Sequence, residues 1–550
     1  MTALSNLKNS LLVLTIIWLV LLLSGCYNID GNKVRQDVLV YCSEGSPVTF
    51  NPQLSISGTT FDASSRTLYN RLIEFKPGTT DLIPALATDW EVSADGKEYI
   101  FHLRKNVQFH TTDNFTPTRN FNADDVIFTF KRQWDSNHPY HTVSKLNFDF
   151  FKTLGLKQLI AQIEKVGPYQ VKFKLNRAES PFLATLAMDF ASILSAEYAS
   201  QLQSANHPEF IDTKPVGTGP FKLVRYQPDA FIRYIAHANY WEGEQPLKHL
   251  VFAITPNPSL RFARLIAGEC DVMANPLPIH VSVANQQHDL RVLSQPGLNV
   301  AFLALNTQKP PFDNRLVRQA LNYAVNKQAI VKAVYQNTAT PARTAIPPTL
   351  WAYDDTIIEH EYNLQNARNL LKDAGYENGF KMNIWTMSAQ RAYNPNAKKM
   401  AELIQQDLKK INIDVEITTF EYGTFLAKTI KGEHQAALMG WNSDNGDPDN
   451  FFTPLLSCFG AISGTNGSFW CDQEFSDIVQ IARSKRRTKT RKNLYEEAQK
   501  IFIAESPWVP IAHATQHVII SPRVKNFKII PSGGVYFNRV FLNTAKSGAE

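Results

Sequence analysis

The sequence predicts an α/β protein of several domains, and three observations carry that expectation. Residues 396–411 place Met400, Leu403, Ile404, Leu408 and Ile411 at helical spacing, and Ile413, Val415 and Ile417 then recur with the period of a strand. A helix running straight into a strand is the signature of an α/β layer. Hairpin-like units stand apart from it near the N-terminus, and 550 residues suffice for roughly two to four domains.

Taken in order, Val38 to Tyr41 reads as a strand before the turn residues Ser43 to Pro47. Residues Tyr99 to Arg104 alternate like a half-buried strand after the turn Ala94-Asp95-Gly96-Lys97. Residues Val166 to Leu175 form a second hairpin-like unit. Gly217-Thr218-Gly219-Pro220 and Pro296-Gly297 punctuate the chain as boundaries between lobes, the second just before the apolar run Val300 to Leu305. Residues 313–334 place Leu316, Ala320, Leu321, Ala324 and Val325 on one helical face, with Asp313 as the expected N-cap.

Composition excludes several classes. A 44% hydrophobic and 19% charged chain is neither disordered nor collagen-like. The net charge of +6 is a mild excess, not the concentrated basic character of a nucleic-acid binder, so no nucleic-acid partner is expected.

The N-terminus carries an apolar run from Leu11 to Leu23. Thirteen helical residues span about 20 Å, short of the roughly 30 Å hydrocarbon core, which suits a signal peptide better than a permanent span. Leu23-Ser24-Gly25-Cys26 follows and resembles the bacterial lipobox. The expectation is a leader over 1–25, lipidation (palmitate included) at Cys26, a linker over 26–36, and an exported chain anchored to a membrane of the cell envelope. No later stretch of 18 apolar residues occurs. Cys42, Cys270, Cys458 and Cys471 then lie in an oxidising compartment, where disulfides persist. Local pairing of Cys458 with Cys471 leaves Cys42 for Cys270. No C-x-x-C occurs and no His stands at ligand spacing from a Cys, so no metal is expected.

No G-x-S-x-G elbow, H-E-x-x-H helix, Walker A loop or dinucleotide fingerprint is present, so no catalytic step is expected. His138 and His141 read as a surface loop, and His513 and His517 as extended chain. The acidic stretch Asp444 to Asn450 has Gly third and is interrupted by Pro448, unlike a calcium loop. Seven cations between Arg483 and Lys492 read as a solvated helix face, with an anionic membrane or a transporter as the alternative contact.

Ordered segments carry a wider resemblance: VYCSEGSPVTFNPQ, LYNRLIEF, LIPALATDWEVSADGKEYIFHLRKNVQFH, FNADDVIFTF, PVGTGPF, GLNVAFLALN, VRQALNYAVNKQAI, QRAYNPN and GWNSDNGDPDNFF. From Val38 to Val540 the chain resembles the large peptide-binding proteins of ABC importers, in the branch that holds dipeptide binders and a haem-binding lipoprotein. The resemblance implies a two-lobe, type II periplasmic-binding-protein-like α/β fold with an extra inserted α/β domain. Residues 37–68, 219–296 and 515–550 would build lobe I, 69–218 the inserted domain and 297–514 lobe II. It implies an Arg at the peptide carboxylate, matched by Arg391, and an Asp at the α-ammonium, matched by Asp444. Trp441, Asn442 and Ser443 match positions along the ligand backbone, and Ser57 and Gly58 a loop from the opposite lobe. Ile56 stands where a polar Thr is found in a dipeptide binder, and Ala392 where a Pro is usual.

These residue types suit a dipeptide, a zwitterion with little side-chain area. A guanidinium offers a carboxylate a planar bidentate partner, and an ionised Asp pairs an ammonium. The expected ligand is a dipeptide or small peptide, handed to the transmembrane subunits of an ABC permease in the periplasm by a monomeric protein. No cofactor is expected; haem and glutathione enter as alternative transported ligands, and an exported hydrolase as a remote one.

Overall fold

The computed structural model describes residues 37–543. The expected leader, Cys26 and the linker lie outside the described residues. The backbone is organised around a twelve-stranded sheet. Its main path runs through Asp414–Phe420, Lys381–Met387, Ala436–Asn442, Asn299–Leu305, Trp508–Ile520, Val272–Ala274, Val38–Ser43, His249–Ile254, Phe231–Ala236 and Phe221–Gln227. Strands Arg291–Pro296 and Ala339–Pro341 also pair with Trp508–Ile520.

That long strand joins two lobes. Its sequence, WVPIAHATQHVII, is rich in apolar and β-branched residues and is buried along nearly all its length, as a strand covered on both faces must be. Its first half pairs with Asn299–Leu305 in lobe II, and its second half with Arg291–Pro296 and Val272–Ala274 in lobe I. The passage between lobes lies where Thr515 faces Pro296. The Asn299 side chain pins it, donating to the Ala514 carbonyl (2.9 Å) and accepting from its N–H (2.7 Å). Gly297 is required there, since a Cβ would stand 2.1 Å from Asn299 Nδ2 and 2.5 Å from the Ala514 carbonyl oxygen.

In lobe II, helix Ala397–Lys409 buries Met400, Ile404 and Leu408, and the Asn396 side chain caps it by accepting from the Lys399 N–H. It leads into Asp414–Phe420, parallel to Lys381–Met387. The single helix expected over 313–334 is two. Arg315–Ala324 is capped by Asn314 rather than Asp313, and Lys327–Tyr335 is capped by Asn326, with Val325 extended between them. Asn326 accepts from the Ala329 N–H, so a side chain that competes with the backbone starts a new helix inside an otherwise continuous apolar period.

The extra unit is an antiparallel sheet of Ala87–Val92, Glu98–Leu103, Gln170–Leu175 and Ile160–Gly167. Helix Ala123–Trp134, started by an Asn122/Asp125 capping box, packs on it. Phe101, Phe130 and Phe173 belong to the same apolar cluster as Leu39 and Phe252 of lobe I, so unit and lobe share a core. Gly219 and Phe221 donate to the carbonyls of Leu68 and Thr67, so the chain leaves and re-enters lobe I side by side. The disulfides are Cys42–Cys270 and Cys458–Cys471, as expected. Among the described residues no helix is long and apolar enough to cross a membrane.

The basic cluster is the expected solvated face in part, with Lys485, Arg486, Arg487 and Lys489 exposed. Helices Gln473–Ser484 and Thr488–Glu505 meet there. Arg491, however, is buried against Asp447, and Arg483 against Glu179. The acidic stretch after Ser443 folds back onto these cations, and neutralisation by carboxylates makes their burial affordable.

Candidate ligand-binding site

Strand Ala436–Asn442 ends at the loop that presents Asp444. The run SDNGDPDN shapes this loop through short side-chain-to-backbone bonds. Ser443 Oγ accepts from the Gly446 N–H (2.9 Å), Asn445 from Asp447 (3.0 Å) and Asp447 from Asp449 (3.0 Å). Asn450 Oδ1 accepts from the Asp444 N–H (3.0 Å) and from Trp441 Nε1 (2.9 Å). Asp and Asn do this readily because their short side chains mimic a backbone turn. Two of the acids are committed: Asp447 accepts both forks of Arg491 at 2.8 and 2.7 Å, and Asp449 lies 3.5 Å from Arg483.

Asp444 has no such partner. Among the described residues its carboxylate meets only the Asn450 amide, at 3.4 Å, with no Lys, Arg or His in ion-pair range. Burial raises its pKa to about 7, the Asn450 amide pulls the other way, and repulsion from Asp189 adds to the rise. Among the described residues no group of three His, Cys, Asp or Glu could hold a metal.

Arg391 stands on the loop after strand Lys381–Met387. Its N–H and carbonyl exchange bonds with Asn394, both at 3.0 Å. The Tyr335 hydroxyl donates to the Tyr393 carbonyl (2.7 Å) and ties the loop to helix Lys327–Tyr335. The guanidinium lies 3.4 Å over the ring of Tyr422, and among the described residues no carboxylate lies in ion-pair range. Its Nε is buried without a hydrogen-bond partner.

Arg391 and Asp444 face one cavity of about 490 Å³. That is a volume typical of small-ligand sites. Gly58 and Asn442 line it too, and Asn442 Oδ1 is another buried acceptor without a donor. An unpaired cation, an unpaired anion and a free amide oxygen in one cavity can hold a carboxylate, an ammonium and a peptide N–H. The remaining residues singled out in the sequence stand around this set. Ser57 precedes helix Gly58–Ala63 and exchanges a hydroxyl bond with Thr59, while Trp441 and Ser443 brace the Asp444 loop. Ile56 and Ala392, where the sequence departs from the family pattern, both line the cavity, and Ile56 is 62% exposed.

Sequence reasoning missed a charged row on the lobe I wall. Arg66 donates to Asp62 (2.8 Å), to Asp189 (3.2 Å) and to the Gly533 carbonyl (3.0 Å). Burial raises the Asp62 carboxyl to about 6, partly offset by Arg66 and the Val535 N–H. The i,i+4 spacing of Asp62 and Arg66 was visible, but Asp189 comes from far along the chain. Arg261 also lines the cavity, holding the Thr255 and Pro256 carbonyls. Phe61, Phe150 and Met188 supply an apolar stretch of wall.

Residues 81–463 match the model of the bacterial extracellular solute-binding proteins, family 5. The chain is 49% identical over 510 residues to a dipeptide-binding protein of Escherichia coli K12, covering 93% of this chain and 95% of that one. It is 46% identical over 504 residues to heme-binding protein A of Haemophilus influenzae, covering 92% of each. The crystal structure of a dipeptide binding protein from Pseudoalteromonas sp. SM9913, in complex with Met-Leu, superposes with a TM-score of 0.83 at 44% identity, covering 92% of this chain and all of that one.

Proposed function

The chain belongs to the bacterial extracellular solute-binding proteins of family 5, and from that premise we propose that it captures dipeptides and small peptides for an ABC importer. The observation that carries this reading is the pairing of Arg391 and Asp444, opposite charges without ion partners, across one cavity. Arg391 takes the peptide carboxylate through a bidentate fork, and Asp444 takes the α-ammonium. Asn442 Oδ1 accepts a backbone N–H, with Trp441 and Ser443 shaping the wall and Ser57 and Gly58 approaching from the other lobe. Closure about Thr515 and Gly297 excludes water and strengthens both ionic contacts. Since the two anchors stand on loops held in place by their own hydrogen bonds, a peptide too long for their separation loses one of them.

The protein acts as a monomer with no cofactor and no catalytic step. It delivers its ligand to the transmembrane subunits of the permease, and Cys26 anchors it through lipid to a membrane facing the periplasm. The identity with heme-binding protein A favours haem as a second reading. The cavity itself offers Met188 as a thioether, and adjoining cavities that share Arg391 and Asp444 with it are lined by His517, Tyr335 and Tyr536, side chains of the kind that ligate haem iron.

Calorimetric titration of the mature chain with dipeptides, tripeptides, glutathione and haemin tests the proposal. Dipeptide binding that Arg391→Ala and Asp444→Ala each abolish is the expected result. Tight binding of haemin with no dipeptide heat overturns it.

A further inference from the structure

A buried ionic seam joins the antiparallel unit to the loop that carries Asp444. Glu179 follows strand Gln170–Leu175, and its side chain is 4% exposed. Its Oε1 accepts from Arg483 Nε (2.8 Å) and Nη2 (2.6 Å), across 304 residues of sequence. The Tyr99 hydroxyl donates to the Glu179 carbonyl (3.1 Å) and fixes that residue in its own unit. On the other side, the Arg483 guanidinium lies 3.5 Å from Asp449, whose Oδ1 also accepts from the Thr453 hydroxyl (2.6 Å). The Asp449 N–H is bonded to Asp447, three residues beyond Asp444.

Backbone contacts extend the seam. The Ser180 N–H donates to the Arg483 carbonyl (2.7 Å), and its hydroxyl to the Lys485 carbonyl (2.6 Å). Arg486 donates to the Ser93 carbonyl (2.9 Å). The unit shares its core with lobe I, whereas Arg483 lies in the last turn of a lobe II helix and Lys485 and Arg486 follow it. The seam therefore bridges the two bodies that the hinge strand lets move.

We propose that this seam is a closure lock, and that Glu179 is a positioning residue for peptide capture, acting on Asp444 through Arg483 and Asp449. Glu179 touches no ligand. Glu179 keeps Arg177 at 3.4 Å within its own unit and Arg483 keeps Asp449 within its lobe, but the tighter bidentate Glu179–Arg483 contact is made only where the unit meets lobe II, and parting it leaves two largely buried charges each with a single, longer partner. In that arrangement Arg483 holds Asp449, the Asp444 loop has one shape, and the ammonium anchor is set. Parting the seam opens the cleft and loosens the anchor together, so the lock governs release rather than entry.

The lock rests on the peptide-capture reading, and the experiment separates the two. Stopped-flow binding of L-alanyl-L-alanine to the mature chain is compared for wild type, Glu179→Gln and Arg486→Ala, beside the melting midpoint of each ligand-free protein. The expected result is dissociation about tenfold faster in Glu179→Gln and about twofold to threefold faster in Arg486→Ala, with association unchanged. A lowered midpoint with unchanged dissociation is the mark of a purely structural pair and overturns the lock. Arg486 is exposed, so its variant decides the matter should Glu179→Gln fail to fold. If the wild type binds no dipeptide, the capture reading fails, and small-angle scattering decides the lock: a larger radius of gyration in Glu179→Gln supports it, and equal radii overturn it.

Discussion

The guanidinium of Arg391 lies over the ring of Tyr422, 3.4 Å from its centroid, and this contact stands in place of the carboxylate that usually holds a half-buried arginine. The exchange has a functional meaning. An acid at that place would compete with the ligand carboxylate, whereas an aromatic face steadies the cation through its quadrupole and leaves the N–H fork free. Tyr422→Phe keeps the ring and is expected to bind dipeptides within about twofold of wild type, while Tyr422→Ala weakens binding by about tenfold. A dipeptide amide, which lacks the carboxylate, should bind both variants alike. Equal loss for the free acid and the amide, read by calorimetry, would show that Tyr422 does not act through Arg391.

Capture should depend on pH through Asp444. Its carboxyl titrates at about 7 in the free protein because it is buried with no cation beside it. A bound ammonium supplies that cation and lowers the pKa, so binding near neutrality releases a proton. Affinity is then full above about 7 and falls as the pH drops below it, because the protonated acid must first ionise. Calorimetry at pH 7 in phosphate and in Tris checks this: the heats should differ by the proton released multiplied by the difference in buffer ionisation heat. Identical heats in the two buffers would refute the assignment of the ammonium to Asp444.

The same shift has a stability consequence of known sign. A carboxyl whose folded pKa is raised from 3.8 to about 7 contributes stability that is present at low pH and lost as the pH rises through the folded value. At pH 8 the ligand-free protein carries the full cost of the ionised, unpaired group. Asp444→Asn keeps the shape and removes the charge. It should stabilise the ligand-free protein at pH 8 by on the order of 2 kcal/mol, change little at pH 4, and abolish dipeptide binding. Denaturant midpoints at the two pH values provide the check, and a variant less stable than wild type at pH 8 contradicts it.

What the sequence made legible was local. The spacing of Met400, Leu403, Ile404 and Leu408 announced a helix, and members of the Asp444 loop bond neighbours within a few residues, so each motif carried its own geometry. Arg391 and Asp444 were found because QRAYNPN and GWNSDNGDPDNFF resemble segments of the family, not because composition or spacing singled them out. Their unpaired state was not legible, because it depends on where every other charge goes. Asp447 and Asp449 looked equivalent to Asp444 in the chain, and only the return of Arg491 and Arg483 from a later helix pair separates them. Those cations read as a solvated face for the same reason: their acids arrive from elsewhere, Glu179 from 304 residues away. The split of the 313–334 helix was hidden differently, since the apolar period continues through Val325 while the Asn326 side chain restarts the backbone ladder.

The two disulfides should differ in what they contribute. Cys42–Cys270 closes a loop of 228 residues and Cys458–Cys471 one of 13. If a cross-link acts mainly by restricting the unfolded chain, the longer loop is worth about 5 kcal/mol and the shorter about 3 kcal/mol. The surroundings agree with the order. Cys42 and Cys270 are buried in a small apolar cluster with Phe262, Leu265, Met273 and Ile519, which joins the first strand of lobe I to the end of the hinge strand. Replacing both by Ala therefore loosens the lobe against which closure occurs, whereas the Cys458–Cys471 loop keeps Asn466, whose amide donates to the Trp470 carbonyl at 2.9 Å. Thermal melts should place the Cys42→Ala/Cys270→Ala protein below the Cys458→Ala/Cys471→Ala protein, and both below wild type. The opposite order would mean that native packing around the shorter loop, not unfolded-chain entropy, sets the stabilisation.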